Sequence, residues 1–150
     1  MKTKIYAAYG SNMNIEQMKR RCPKAKVIGT GELRGYVLTF RGIGSGVANV
    51  ECSPEAIVPI VLWTITKECE VALDRYEGFP MLYTKKMVDI ANNNGEQKAM
   101  LYVMAKQYEK MPAMPNNHYF EIIRQGYQDN NLDTAPLIKA LKETEEELNL

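Results

Sequence analysis

The sequence predicts an α+β fold in which a mixed, largely antiparallel β-sheet curls towards a small barrel and α-helices pack around it. Two observations lead to this prediction. Most strand-like runs are joined by short connections typical of hairpins, and the regular strand-helix alternation that builds a parallel sheet is missing. With 150 residues, 45% hydrophobic and 25% charged, the chain fits one globular domain over residues 1–150.

The first half of the chain contains a strand, a short helix and most of the predicted sheet. The run IYAAY, residues 5–9, ends before Gly10, and NIEQMKRRC then has helical spacing, with Asn14 as its candidate N-cap. From Val27 to Val50, the strand-prone pieces GYVLTF and GVANVEC flank the glycine-rich RGIGSG. The apolar run IVPIVLWTIT, residues 57–66, predicts a separate strand that is buried on both faces.

The second half predicts three helices and a hairpin. The segment TKECEVALDRYE has Thr66 as a candidate cap and stops at Gly78. The hairpin is KKMVDIANNNGEQKAMLYVM, where an Asn-Gly pair supplies the positive φ angles of a tight turn. One further helix surrounds HYFEIIRQG, and another begins near Ala135 after the candidate caps Asp133 and Thr134.

Charge and cysteine content narrow the classes of function. Lys and Arg number 19 against 18 for Asp and Glu, so the overall charge indicates no nucleic-acid partner. The start MKTKIYAAYGSN has too short an apolar run for a signal peptide or a membrane span, so we expect no membrane partner. Cys22, Cys52 and Cys69 are odd in number and lack a C-x-x-C pair, which argues against disulfides and a zinc site. We interpret them as reduced thiols of a soluble, cytoplasmic protein.

Three motifs fail as signatures of known chemistry. GIGSGV, residues 42–47, precedes a strand where a dinucleotide-binding loop precedes a helix, so we interpret it as a sheet connection. YGSNM is not a nucleophile elbow, because glycine directly precedes Ser11 and none follows two places later. His118, the only histidine, has no oriented partner nearby and is interpreted as a surface residue at a helix start.

The turn after the first strand is the first candidate site. In a strand-turn-helix unit, the peptide N–H groups of Gly10 to Met13 would be free and would point, with the helix dipole, at a ligand. Because the phosphate-binding pattern G-x-x-x-x-G-K-[ST] is missing, a carboxylate or a developing oxyanion fits better than a nucleotide. An ordinary turn without a ligand is the alternative.

Glu77 is the second candidate. As the last residue of its predicted helix, it places a carboxylate at the negative end of the helix dipole. Cys69, Ala72, Leu73 and Tyr76 form one stripe of that helix, and the aromatic and apolar residues around Glu77 would partly desolvate it. Both effects raise its affinity for a proton and favour a working base. The alternative is an exposed glutamate at a frayed helix end.

Three segments together resemble the gamma-glutamylcyclotransferase family. YAAYGSNM is similar to its substrate loop, LDRYEGF followed by Tyr83 to its catalytic-glutamate segment, and MPNNHYFEIIRQG to its C-terminal tyrosine helix. GVANVECSP and IVPIVLWTIT stand between the first two in the family's order, so the resemblance covers nearly the whole chain. Two departures are Met13, where leucine is usual, and GSGVAN, which is shorter than in many members.

The resemblance implies a small barrel with flanking helices. It also implies an enzymatic reaction on γ-glutamyl compounds. A γ-glutamyl amino acid, peptide or amine is converted to 5-oxoproline and a free amine, without a metal or an organic cofactor. Because the attacking α-amine loses a proton and the leaving nitrogen gains one, a single carboxylate between them can serve both transfers. The resemblance assigns this general acid/base role to Glu77. It assigns substrate binding to Tyr9, Gly10, Ser11, Asn12, Met13, Tyr83 and Tyr119.

Two alternatives belong to other classes of function. One is a non-catalytic module of the same fold that binds γ-glutamyl compounds. The other is a weak nucleic-acid binder that uses the five basic residues between Lys19 and Lys26, for which a solvated helix face is the default interpretation. The leaving amine and the oligomeric state do not follow from the sequence.

Overall fold

The structure, a computed structural model that describes residues 2–149, is built around a closed five-stranded β-barrel. Its strands are β1 (Thr3–Ala8), β2 (Lys26–Arg41), β3 (Val47–Thr66), β4 (Tyr83–Asn92) and β5 (Gly95–Met104). The order around the barrel is β1-β3-β2-β4-β5. Neighbouring strands pair antiparallel, except that β1 and β5 meet in parallel at Tyr6 and Met100. The prediction of a mixed, largely antiparallel barrel is therefore confirmed.

The flanking helices are α1 (Ile15–Arg21), α2 (Lys67–Glu77), α3 (Asn117–Asp129) and α4 (Ala135–Leu148). The predicted caps of α1 and α2 are confirmed, because the side chains of Asn14 and Thr66 each accept a hydrogen bond from a peptide N–H three residues later. At the start of α4, Asp133 Oδ1 accepts from the N–H of Ala135 at 2.9 Å, and Thr134 makes no side-chain cap. Among the described residues, none of the helices has the length and apolarity needed to span a membrane.

Strands β2 and β3 correct the prediction of several short pieces. The run at 57–66 is not a separate strand but the second half of β3, although most of it is buried on both faces as expected. In the β2-β3 register, Arg34 faces Ile57 and Tyr36 faces Cys52, so residues 53–56 lie in a bulge. Pro54 sits there without removing a ladder hydrogen bond, since a bulged residue donates none. Pro54 therefore lies at a register shift within a long strand and does not end it.

Gly31 allows β4 to close against β2. A Cβ atom at this position would lie 2.5 Å from Ile90 Cγ2 and 2.9 Å from the carbonyl oxygen of Ala91. Glu32, the next residue, pairs with Ala91. Only glycine permits this approach of the two backbones, so it contributes directly to closure of the barrel.

The β4-β5 hairpin is confirmed, but its turn differs from the prediction. Asn92 faces Gly95 across the ladder, so Asn93 and Asn94 form the tip. Neither has a positive φ, whereas Gly95 has a φ of 109°. The N–H of Asn94 donates to the side chain of Asn92 at 2.9 Å, which supplies the local bond that such turns use.

The barrel directions decide where a site can form. Because β4 and β5 pair antiparallel, the end of β5 at Met104 faces the start of β4 at Tyr83. Ala8, the end of β1, faces Val61 within β3, and the start of β3 reaches the same region because Ala48 lies against Gly10. The loop 42–46 between β2 and β3 lies against residues 111–114, with the N–H groups of Gly42 and Gly46 donating to Met111 and Met114. The interpretation of GIGSGV as a sheet connection is confirmed. His118 is exposed in the first turn of α3, also as predicted.

Candidate active site

A cavity of about 240 Å³ opens at the end of the barrel where β5 ends and β4 begins. Its wall is built by the turn after β1, the start of β3, the end of α2, the start of β4 and one residue each from β1, β5 and α3. Seven of the eight residues predicted from the sequence line it, namely Tyr9, Gly10, Ser11, Asn12, Glu77, Tyr83 and Tyr119. The fold therefore brings together segments that are far apart in the chain.

Met13 is the predicted residue that does not line the cavity. Its side chain is fully buried, and a Cβ on Gly126 of α3 would lie 2.8 Å from Met13 Cβ. Its N–H is also not free, because it donates to the carbonyl of Gly10 at 3.0 Å. The prediction for Met13 is corrected: the residue anchors the turn against α3.

The first turn of α1 does not line the cavity, which corrects the expectation that its N-terminus meets a ligand directly after the strand. One turn of 3-10 helix, Ser11–Met13, separates the strand from α1. The N–H of Gln17 donates to Asn14 Oδ1 at 3.0 Å, and the N–H of Ile15 donates to Asp129 Oδ2 at 3.2 Å. Two of the helix's N-terminal donors are therefore used within the protein.

Three peptide N–H groups of the turn are free. Those of Gly10, Ser11 and Asn12 have no acceptor within residues 2–149, and all three residues line the cavity. A Cβ on Gly10 would lie 3.2 Å from Ala48 Cβ and 3.7 Å from the Tyr119 hydroxyl, so this part of the turn lies close to the opposite wall. Adjacent free N–H groups of this kind suit an anionic group of a ligand.

Glu77 ends α2, as predicted, and Gly78 follows in the left-handed conformation with φ 68°. Burial of the carboxylate raises the pKa of Glu77 to about 7, while the nearby Arg21 cation acts in the opposite direction. Asn12 Nδ2 donates a hydrogen bond to its Oε1 at 3.4 Å. The expected rise in proton affinity is present, and desolvation is its main cause.

Besides Glu77 of α2, Asn12 connects the turn to three neighbouring elements. Its Nδ2 also donates to the Tyr6 hydroxyl at 2.9 Å, and its Oδ1 accepts from Arg21 Nη1. Its carbonyl accepts from the indole N–H of Trp63 at 3.1 Å. These bonds leave the side chain of Asn12 one orientation.

The main chain of Ala48 is held between two tyrosines. Tyr83 donates its hydroxyl proton to the Ala48 carbonyl, and the Ala48 N–H donates to the Tyr119 hydroxyl oxygen at 2.9 Å. Tyr9 is held in a similar way, since its hydroxyl donates to the carbonyl of Tyr102 at 2.6 Å. The Tyr119 proton, by contrast, has no acceptor within residues 2–149.

Sequence reasoning missed Tyr6 and Tyr102, which form an aromatic wall. Their rings pack edge to face with centroids 5.9 Å apart, and Tyr102 donates to Asp74 Oδ1 at 2.6 Å. A tyrosine within an otherwise apolar strand was the available signal, because a buried phenol requires a hydrogen-bond partner.

Tyr76 lines the cavity and is contacted by Arg21, and neither residue was predicted there. Tyr76 shares its stripe of α2 with the buried Cys69 and Leu73, but it is itself 45% exposed. Its hydroxyl lies 3.1 Å from Ser11 Oγ. The Arg21 guanidinium lies over its ring, 3.5 Å from the centroid.

The fold belongs to a known class of small β-barrels. A solved structure named Gamma-glutamyl cyclotransferase superposes with a TM-score of 0.80 at 27% identity, covering 96% of this chain and 87% of that one. The Homo sapiens protein named Gamma-glutamylcyclotransferase is 30% identical over 137 residues, which are 85% of this chain and 72% of that protein. Its Mus musculus counterpart is 27% identical over 139 residues, with 87% and 73% covered.

The family model described as Gamma-glutamyl cyclotransferase, AIG2-like matches residues 6–121. The chain belongs to this family. The resemblance found from the three sequence segments is therefore confirmed.

Proposed function

We propose that the protein is a gamma-glutamylcyclotransferase-type enzyme, which converts a γ-glutamyl amino acid, peptide or amine to 5-oxoproline and the free amine. The α-amine nitrogen forms a bond to the γ-carbonyl carbon, and the γ-amide C–N bond breaks. The observation that supports this chemistry is the position of Glu77, a carboxylate in the cavity beside three free peptide N–H groups. Family membership supplies the reaction class.

Glu77 is the proposed general acid/base. The α-amine passes its proton to the carboxylate, which returns the proton to the leaving nitrogen. A group that serves both transfers works best when its pKa lies near the working pH, and burial raises the pKa of Glu77 to about 7. Ordinary exposed glutamates are too acidic to return the proton readily at neutral pH.

The turn at Gly10, Ser11 and Asn12 is proposed to bind the α-carboxylate of the substrate. Its free N–H groups match an anion, and fixing one end of the flexible glutamyl chain brings the α-amine towards the γ-carbonyl. The loss of chain freedom in reaching this orientation is the main entropic obstacle to closing the five-membered ring.

The tyrosines are proposed to position the substrate. The hydroxyl protons of Tyr9 and Tyr83 are donated to main-chain carbonyls, which leaves them less suited to stabilise a developing oxyanion. Tyr119 accepts a hydrogen bond and keeps its proton, so it is the tyrosine that fits the role of oxyanion donor.

A panel of γ-glutamyl amino acids, peptides and amines, with direct detection of 5-oxoproline, tests the proposal. Formation of 5-oxoproline that is lost in Glu77→Gln supports it. Binding without turnover by the parent protein would favour the non-catalytic module. Salt-sensitive association with DNA or RNA, independent of Glu77, would favour the nucleic-acid binder, which we do not expect.

The cytoplasmic location also stays a prediction, consistent with three free cysteines.

A further inference from the structure

We infer that Arg21 is a positioning residue for Glu77 and acts through the side-chain amide of Asn12. This inference rests on the proposed function of the cavity. Arg21 lies at the end of α1 and belongs to the basic segment that the reaction itself does not use.

The guanidinium of Arg21 is held in place on three sides. It lies 3.5 Å from the centroid of the Tyr76 ring, and its Nη2 donates to Gln17 Oε1 at 2.8 Å. Its Nη1 donates to Asn12 Oδ1. A planar, forked donor stacked on an aromatic ring has a fixed direction, and here that direction is towards Asn12.

Arg21 determines which way the Asn12 amide points. Because a guanidinium only donates hydrogen bonds, the atom of Asn12 that faces it must be the carbonyl oxygen. The amide nitrogen then faces the other side, where it donates to the Tyr6 hydroxyl at 2.9 Å and to Glu77 Oε1 at 3.4 Å. Without Arg21, a flipped amide would place its oxygen against the carboxylate and repel it.

Arg21 also supplies the positive charge that faces Glu77. Burial raises the pKa of Glu77, and the Arg21 cation counteracts part of that rise. The other titratable groups that face Glu77 are phenols whose pKa is raised by burial, so they stay neutral around pH 7. These phenols are Tyr6, Tyr9, Tyr83, Tyr102 and Tyr119. Tyr76, which precedes Glu77, contacts Arg21 and Ser11.

The neighbouring Arg20 provides a matched control. It lies on the same helix, but it is exposed and pairs with Glu16 at 2.7 Å, away from the cavity. Arg20→Gln removes the same charge from the protein without touching Asn12 or Glu77.

The experiment compares the parent with Arg21→Gln, Arg21→Lys and Arg20→Gln in two measurements. One is the dependence of kcat and KM on pH. The other is the titration of the Glu77 carboxyl by carbon-13 NMR, assigned by its disappearance in Glu77→Gln. The second measurement needs no turnover, so it decides the role of Arg21 even if the parent forms no 5-oxoproline and the proposed function fails.

For Arg21→Gln we expect the Glu77 titration and the acidic limb of kcat to move up by about one pH unit. We also expect kcat to fall ~10-fold to 100-fold with a smaller change in KM, since a misplaced base slows the chemical step. Arg21→Lys keeps the charge but lacks the fork, so its titration should stay near the parent's while kcat still falls. Arg20→Gln should match the parent in both measurements.

An unchanged Glu77 titration in folded Arg21→Gln overturns the inference. If that variant does not fold, Arg21→Lys decides: a normal Glu77 titration with reduced kcat supports the inference, and parent-like kcat overturns it. A lower melting temperature alone, without either change, would mean that Arg21 only stabilises the packing of α1 against α2.

Discussion

Asn12 Nδ2 lies 3.4 Å from Glu77 Oε1, although the two residues are 65 positions apart in the chain. This hydrogen bond joins the turn after β1 to the end of α2. It places the proposed acid/base next to the peptide N–H groups proposed to hold the substrate. A substitution of the carboxylate that keeps its shape can therefore separate the chemistry of the site from its structure.

Glu77→Gln should nearly abolish turnover while leaving ligand binding in place. Glutamine keeps the size of the side chain and an oxygen that accepts from Asn12, but it cannot take up the proton. General acid/base groups typically contribute ~100-fold to 10,000-fold, and we expect the upper part of that range because one residue serves both transfers. Formation of 5-oxoproline under saturating substrate measures the loss.

Two controls distinguish lost chemistry from lost structure in Glu77→Gln. A melting curve checks the fold, and a titration with 5-oxoproline checks the cavity. If the variant cyclises γ-glutamyl substrates at close to the parent rate, Glu77 is only a partly buried glutamate at a helix end.

Glu77→Gln should also change the pH dependence of stability. Because the folded-state pKa of Glu77 is about 7 against an ordinary value of 4.5, the folded protein binds a proton more tightly than the unfolded chain. The stability that this proton supplies is present below pH 4.5 and is lost as the pH rises to 7. Above pH 7 the variant should gain up to about 3 kcal/mol over the parent, and this advantage should vanish at pH 4.5.

Urea unfolding at pH 5 and pH 8 measures this difference. Glu68→Gln, in the exposed first turn of α2, is the matched control, and its effect should be similar at both pH values. An equal effect of Glu77→Gln at both pH values would show that Glu77 ionises as an ordinary glutamate.

Tyr83→Phe and Tyr119→Phe should each weaken catalysis by roughly 0.5 to 3 kcal/mol in kcat/KM, the scale of one lost hydrogen bond. Each removes one of the two bonds that hold the main chain of Ala48. Tyr119→Phe should have the larger effect on kcat, because its hydroxyl proton is free to face the substrate. Complete loss of turnover in a folded Tyr83→Phe protein would instead make that hydroxyl an essential acid.

Gly126→Ala should destabilise the protein even though alanine favours a helix. Helix propensity would add about 1 kcal/mol of stability, but the new Cβ would lie 2.8 Å from Met13 Cβ and from the N atom of Asn14. Overpacking of this kind costs about 1 to 3 kcal/mol, so the expected net loss is up to about 2 kcal/mol. Because α3 supports the turn that lines the cavity, kcat/KM should fall as well.

Chemical denaturation with Gln128→Ala as the control checks the effect of Gly126→Ala. Gln128 is exposed on the same helix, so its replacement should change little. A more stable Gly126→Ala protein with parent kinetics would show that α3 can shift away from the turn without loss of stability or activity.

The sequence predicted most of the residues that it assigned to the cavity wall, but it did not predict the strand boundaries. Glu77 and the turn carried recognisable local signals, a carboxylate at the wrong end of a helix dipole and small residues after a strand. The strand boundaries carried no such local signal. A proline such as Pro54 indicates the end of a strand until its place in the bulge opposite Gly35 is known. Met13 was assigned to the site by its place in the motif, but its side chain is buried against α3 and does not line the cavity.

The sequence by itself determined the features that depend on residues a few positions apart. The caps at Asn14 and Thr66 and the stop at Gly78 are such features, because their hydrogen bonds and backbone angles are local. Tertiary structure alone decided that Arg21 faces Asn12 and that the hydroxyl protons of Tyr83 and Tyr119 have different partners. The physical reason is that hydrogen bonds across a cavity depend on how the barrel closes and how the helices dock on it, and no local pattern encodes that geometry.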